Sequence, residues 1–153
     1  MDRVRATVLG VTALLALVGC TGPDTTVRPA PASPPATAAV RLVEEQQADL
    51  HLWVSNQSFA DDSVVLRVSI DGTGIVDQHF AVEHQHNWFL FPVRVPPGLH
   101  VVRVVSNTGV EIQETFTMPE TGRQYAAVDY GNPAHGGARH VNWFIRSTPI
   151  AFA

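Results

Sequence analysis

The amino-acid sequence predicts an all-β fold, an antiparallel β-sandwich of about seven to eight strands. From Ala48 to the C-terminus, apolar and polar residues alternate with a period of two, which is typical of strands with one buried face. Turn-forming clusters of Gly, Pro, Asn and Asp interrupt this alternation about every eight to twelve residues. Because no stretch of this region has the periodicity of a helix, we expect packed sheets without a helical layer.

The alternation divides into eight stretches that we interpret as strands. In the first, Leu50, Leu52 and Val54 share one side, while Trp53 faces the other. The second has the clearest alternation, with four aliphatic residues on one side. The expected strands cover about 48–55, 64–71, 75–82, 88–95, 99–105, 110–118, 124–130 and 141–147.

Local signals predict how some of these strands are connected. Asp71-Gly72-Thr73-Gly74 supplies the positive-φ positions of a tight hairpin, so the third strand should pair back onto the second. Pro92 cannot donate a ladder hydrogen bond, which favours a sheet edge or a bulge at that position. Pro96-Pro97-Gly98 fits a type II turn. The apolar C-terminal segment 149–152 is expected to dock on the domain.

One of these turns also carries a resemblance to a known class of domain. The segment Pro97-Gly98-Leu99-His100-Val101-Val102 looks like the turn-into-strand of PEGA-type and other immunoglobulin-like modules on bacterial surfaces. This resemblance implies an Ig-like sandwich and names no ligand. The cysteine and tryptophan pattern of true immunoglobulin domains is absent from the chain.

The N-terminal region has the parts of a secretory signal. Arg3 and Arg5 precede an apolar run from Ala6 to Val18. This run is too short to span a membrane, since a spanning helix needs about twenty apolar residues. The run ends in Leu17-Val18-Gly19-Cys20, which resembles the lipobox of bacterial lipoproteins. The resemblance implies cleavage before Cys20 and a diacylglyceryl group on its Sγ. It therefore implies a lipid-anchored protein on the extracytoplasmic face of the cell membrane.

Composition separates a tether from the domain that follows it. Residues 21–40 are rich in Pro, Ala, Thr and Ser and lack apolar periodicity, so we expect an extended tether that reaches roughly 60 Å. The predicted organisation is a signal peptide at 1–19, the lipidated Cys20 with a disordered tether at 20–47, and a β-sandwich at 48–153. Cys20 is the only cysteine, so no disulfide within the chain is available.

Histidines and tryptophans supply the candidate binding residues. His84 and His86 would project to one side of an extended segment, a pattern that suits Zn²⁺ or Cu²⁺, although the pattern is more typical of solvated or hydrogen-bonded loop histidines. Trp53 and Trp88 fall opposite the most apolar strand face, where aromatic rings would bind sugar rings or a partner protein. The alternative is a slip of strand parity that makes the Trp residues core. We place any ligand where a polar turn meets an aromatic run, and the candidate site comprises His84, His86, Asn87 and Trp88, unless 134–140 folds over Trp88.

Charge and motifs narrow the function classes. The net charge of −4 gives no electrostatic footprint for nucleic acid. The chain has no G-x-S-x-G, H-E-x-x-H or phosphate-binding glycine loop, so we expect neither catalytic residues nor a cofactor. The leading hypothesis is a non-catalytic binding or assembly module of the bacterial cell envelope, held at the membrane through Cys20, with an envelope protein or glycan as partner. The alternatives are an envelope metal-binding protein that uses His84 and His86, and an enzyme of unrecognised type; the oligomeric state stays open.

Overall fold

A computed structural model describes residues 39–82, 87–132 and 137–152. These residues form nine strands and one short 3₁₀ turn at Glu45–Gln47. The strands are β1 (Arg41–Leu42), β2 (Leu50–Asn56), β3 (Ser63–Ile70), β4 (Thr73–Ala81), β5 (Phe89–Arg94), β6 (Gly98–Ser106), β7 (Glu111–Met118), β8 (Gln124–Gly131) and β9 (His140–Arg146). The prediction of an all-β sandwich is confirmed.

The strands are arranged in two sheets. The five-stranded sheet has the order β1-β5-β2-β8-β9, and the four-stranded sheet has the order β4-β3-β6-β7. All neighbours are antiparallel except β2 and β8, which run parallel from Leu50 beside Gln124 to Asn56 beside Tyr130. A parallel pair needs a long connection, and here the chain makes that connection through the other sheet before it returns. This pair departs from the purely antiparallel arrangement expected from the sequence.

The ordered domain begins before Ala48. Val40 is buried, and β1 pairs with β5 through Arg41 beside Arg94 and Leu42 beside Val93. Residues 39–47 therefore belong to the sandwich, although composition assigns them to the tether at 20–47. A strand of two residues is too short to show an alternating pattern, which explains why the sequence does not reveal it.

The predicted signal peptide at 1–19 and the lipidation site Cys20 lie outside the described residues and stay predictions. In the part of the chain that the structure describes, no helix is long and apolar enough to cross a membrane.

The core lies between the two sheets and follows the predicted parity. Leu50, Leu52 and Val54 of β2 are fully buried on its inner side. The inner residues of β3 face them across the sandwich and are buried to the same degree; they are Val64, Leu66, Val68 and Ile70. A side chain of this kind contributes roughly 1.5–3 kcal/mol when it is fully removed from water. The alternating pattern thus predicted the inner face of these strands correctly.

The β3–β4 hairpin also forms as predicted. Asp71 and Gly72 have φ angles of 50° and 78°, and they link the paired residues Ile70 and Thr73. Two central residues with positive φ define the type I′ turn, whose twist matches that of the flanking strands.

Pro92 lies on β5 at the point where β1 ends. β1 covers only Val93 and Arg94, so the rest of β5 forms the rim of the sheet on that side. The Pro92 carbonyl accepts a hydrogen bond of 3.1 Å from the Val43 N–H. Because the nitrogen and the carbonyl of one residue point to the same side of a strand, the Pro92 nitrogen also faces this rim, where no ladder bond is lost. The strand that carries Pro92 is not the predicted edge strand, since β5 lies between β1 and β2. Pro92 is tolerated there because β1 ends beside it.

Candidate functional site

An aromatic row crosses the outer side of the five-stranded sheet. Trp53 on β2 lies beside Leu90 of β5 and beside Ala127 of β8, and Ala127 lies beside Phe144 of β9. Directly paired residues point to the same side of a sheet, so these four side chains share one surface. Ala127 is fully buried although it is on the outer side, so larger neighbouring side chains cover it.

Trp88 extends this row at the start of β5. Its indole stacks on the ring of Phe152, with 4.1 Å between centroids and 22° between planes. Phe152 also meets Trp53 edge-on, with centroids 5.3 Å apart. Both tryptophans therefore contact the same phenyl ring. The prediction that the C-terminal segment docks on the domain is confirmed.

A second row of outward side chains borders the first. His51 of β2 pairs with Tyr125 of β8, and their rings meet edge to face at 5.4 Å. Arg146 lies beside Tyr125, and its guanidinium carbon is 5.3 Å from the centre of the Phe144 ring. We call this surface the aromatic face; its defining residues are Trp53, Trp88, Leu90, Tyr125 and Phe144, all of them half-buried.

Polar side chains line the other border of the aromatic face. Ser55 pairs with Asp129, and Asp129 pairs with Asn142. The Asn142 amide donates a hydrogen bond of 2.8 Å to the Asp129 carboxylate, and the Ser55 hydroxyl donates one of 2.7 Å to the Asn87 carbonyl. Each strand rises about 3.3 Å per residue, so two rows that are two residues apart along the strands lie about 6.6 Å from each other, within the reach of one small ring.

The outer side of the four-stranded sheet has a different chemical character. Arg67 pairs with Asp77 at 3.2 Å, and Arg103 pairs with Glu111 at 2.6 Å, all on exposed side chains. A depression of about 290 Å³ there is lined by these two arginines, whose charges are already matched. This side is suited to water, whereas the aromatic face is suited to a less polar partner.

A hydrogen-bonded network joins two loops at one end of the sandwich. The Asp61 carboxylate accepts hydrogen bonds of 2.7 Å from the Tyr130 hydroxyl and 2.7 Å from the Asn132 amide. Arg139 donates two more, of 2.9 and 3.1 Å. Asp61 follows β2, while Asn132 and Arg139 belong to the β8–β9 connection. The network therefore fixes the β2–β3 loop to that connection.

The network shifts the ionisation of its members. Hydrogen bonds from Arg139 and Tyr130 hold the pKa of the Asp61 carboxyl well below its usual range, against the opposing effect of burial. The hydrogen bond and charge of Asp61 raise the pKa of Arg139. Burial is the main cause that raises the pKa of Tyr130. A carboxylate held ionised by several donors is a structural anion and has no proton to give near neutral pH.

His100 and Asp71 form a histidine–carboxylate pair at the opposite end of the sandwich. His100 Nδ1 lies 2.6 Å from Asp71 Oδ2, and Nε2 lies 2.7 Å from the Pro96 carbonyl oxygen. Both ring nitrogens face acceptors, so both hydrogen bonds form together only when the imidazole carries two protons. Burial works to raise the pKa of Asp71, but hydrogen bonds from His100 and the Val101 N–H outweigh it and lower that pKa. No nitrogen of this pair is left to activate a nucleophile, so the pair is structural.

The structure describes only some of the candidate residues. Trp88 belongs to the aromatic face and Asn87 precedes it, whereas His84 and His86 lie outside the described residues. Within 39–82, 87–132 and 137–152, no group of three His, Cys, Asp or Glu side chains is arranged to hold a metal ion. Among the described residues, Phe152 is the one whose ring stacks on Trp88.

The tryptophans divide between the core and the surface. Trp143 of β9 packs against the core, with its ring 5.5 Å from Phe116. Trp53 and Trp88 lie on the aromatic face, as parity predicted. Tyr125, Phe144 and Phe152 are not among the site residues predicted from the sequence. Alternation places Tyr125 opposite the apolar side of its strand, and this was the one signal that pointed to it.

Comparison with known proteins gives little further guidance. No family model matches the chain, and no solved structure matches it. Over 64 residues, 39% of this chain, the sequence is 41% identical to a protein of Yersinia enterocolitica serotype O:8 / biotype 1B, succinylglutamate desuccinylase. The match spans 18% of that protein's length.

Proposed function

We propose that this protein is a lipid-anchored, non-catalytic β-sandwich of the bacterial cell envelope that binds an envelope glycan through its aromatic face. The observation that supports a glycan ligand is that an apolar row and a polar row of side chains lie next to each other on this face. Trp53 and Phe144 belong to the apolar row. Asp129 and Asn142 are the accessible members of the polar row, in which Ser55 is buried.

Sugar rings match this combination of side chains. One face of a pyranose presents C–H groups that pack on indole and phenyl rings, while its hydroxyls exchange hydrogen bonds with amide, hydroxyl and carboxylate groups. A few placed polar groups beside an apolar surface are the usual composition of a ligand site. The charged outer side of the four-stranded sheet offers no comparable surface.

Catalysis has less support than binding. The likeness to succinylglutamate desuccinylase covers less than a fifth of that protein, so its activity is not carried over to this chain. The His100–Asp71 pair, which comes nearest to a catalytic arrangement, has both ring nitrogens engaged. A binding module needs neither a nucleophile nor a general base.

Removing Trp53 tests the binding surface. We expect Trp53→Ala to lower the affinity for purified cell-wall peptidoglycan about tenfold or more, since stacking on a Trp ring and the area it buries are both lost. The measurement is co-sedimentation of the mature chain carrying Cys20→Ser, with the insoluble glycan titrated. Leu99→Ala is the matched control, because Leu99 is an apolar residue that is 72% exposed. Its side chain points outward, since the next residue of the strand, His100, points inward. Equal binding by the Trp53→Ala variant and by the chain that keeps Trp53 would refute the assignment, provided that thermal melting shows both proteins to be folded.

Cys20 is expected to carry the membrane attachment. Two acyl chains hold a protein at a bilayer where one chain gives only marginal binding, since each buried methylene contributes about 0.8 kcal/mol. In cell fractionation, wild-type protein should therefore sediment with membranes, and Cys20→Ala should appear in the soluble extracytoplasmic fraction. A Cys20→Ala protein of mature size that stays with the membranes contradicts the anchor.

A further inference from the structure

The C-terminal segment lies on the proposed glycan surface and is weakly attached to it. Between Ser147 and Phe152, the described residues make no hydrogen bond or ion pair with the domain, and β9 ends at Arg146. The specific contacts of this segment are the two ring contacts of Phe152, on Trp88 at 4.1 Å and on Trp53 at 5.3 Å. Phe152 thus makes the ring contacts of these six residues with the domain, and Ile150, two positions before it, is half-buried.

The ring of Phe152 takes the place that a ligand ring would need. It lies flat on the indole of Trp88, with 22° between the planes, which is also how a sugar ring stacks on tryptophan. A pyranose and the phenyl ring are of similar size, so Trp88 cannot stack on both at once. Backbone hydrogen bonds would hold a strand in place, but this segment has none, so its release leaves the sandwich ladder intact.

We propose that Phe152 is a displaceable strap that closes the Trp53–Trp88 site and must leave before a glycan stacks there. This inference rests on the proposed function, because it states how access to that same surface is regulated. A site that is open only part of the time binds with an apparent affinity reduced by its open fraction. Removing the strap removes that reduction.

Phe152→Ala in the mature Cys20→Ser chain is the test. We expect the apparent affinity for peptidoglycan to rise about tenfold, because the site is then open in every molecule. We also expect acrylamide to quench more of the tryptophan fluorescence, since Trp53 and Trp88 lose their cover while Trp143 stays packed on the core. The melting temperature should change by only a few degrees. Ala151→Ser, at the exposed neighbouring residue, is the matched control and should change neither quantity.

The remaining outcomes separate the strap from the proposed function. If Phe152→Ala and wild type bind equally while Trp53→Ala does not bind, the surface is right and the strap is wrong. Weaker binding by Phe152→Ala also overturns the strap, because Phe152 is then part of the binding platform. If neither protein binds, the proposed function fails and the strap fails as its regulator. Unchanged quenching in Phe152→Ala overturns the strap whatever the binding result.

Discussion

Replacing Asp61 with alanine is expected to lower the free energy of unfolding by about 3 kcal/mol. The Asp61 side chain is only 15% exposed and accepts hydrogen bonds from the Tyr130 hydroxyl and the Asn132 amide. A buried donor that loses its partner costs about 1–3 kcal/mol, and Tyr130 is fully buried. Chemical denaturation monitored by circular dichroism measures this change.

Asp62→Ala is the matched control for this prediction. Asp62 is the same residue type, one position along, and exposed, so its replacement should stay within about 0.5 kcal/mol of wild type. Asp61→Asn keeps one acceptor oxygen and should fall between the two. If Asp61→Ala is as stable as Asp62→Ala, the network does not hold the loops together.

The Asp61 network also predicts the direction of acid sensitivity. The pKa of Asp61 is lower in the folded protein than in the unfolded chain, where it is about 3.9. Its contribution to stability is therefore complete above about pH 4 and is lost as pH falls from there through the folded pKa. The stability difference between wild type and Asp61→Asn should shrink below about pH 4. A difference that stays constant down to pH 2 contradicts the assignment.

Replacing Phe80 with alanine is expected to cost about 4 kcal/mol, which is typical of a phenylalanine removed from a packed core. Phe80 on β4 is 2% exposed, and its ring meets Phe89 and Phe91 of β5 edge-on, at 5.5 and 6.5 Å. It is therefore a direct contact between the two sheets. The melting temperature should fall by about 15 °C or more.

Phe89→Ala provides the comparison within the same cluster. Phe89 touches the same Phe80 ring but is 44% exposed, so less area is lost from the buried surface when it is truncated. We expect a cost of about 1 kcal/mol, a fraction of the Phe80→Ala effect. Equal costs for the two variants would mean that burial does not set the contribution of these rings.

Glu114 illustrates a pattern that the sequence left unexplained. It interrupts the apolar side of the 110–118 stretch, and in the structure it pairs with the buried Val102 and so lies on the inner side of β7. β7 is the last strand of its sheet, so Glu114 reaches past the edge and stays exposed. A charge directed inward on an edge strand discourages pairing with another chain. Whether Glu114 lies on an edge strand depends on the order of the strands in the sheet, and the alternation of apolar and polar residues does not predict that order.

Local sequence patterns predicted eight of the nine strands, the inner faces of β2, β3, β5 and β7, and the β3–β4 turn. Each of these depends on neighbouring residues: the period of two marks a strand with one buried face, and Asp71-Gly72 supplies positive φ whatever surrounds it. β1 was not predicted, because two residues are too few to show an alternating pattern and they form a strand only by pairing with β5.

Which side chains share an outer surface of the sandwich is set by the tertiary structure and does not follow from the local sequence. Alternation places Trp53 and Trp88 on an outer side, but only the order β5-β2-β8-β9 brings Leu90, Trp53 and Phe144 into one row. The contact between Phe152 and Trp88 joins residues more than sixty positions apart, which no local pattern encodes. Side-chain parity is set by the backbone within one strand, whereas a shared surface is set by which strands pair, and that choice depends on how the whole core packs.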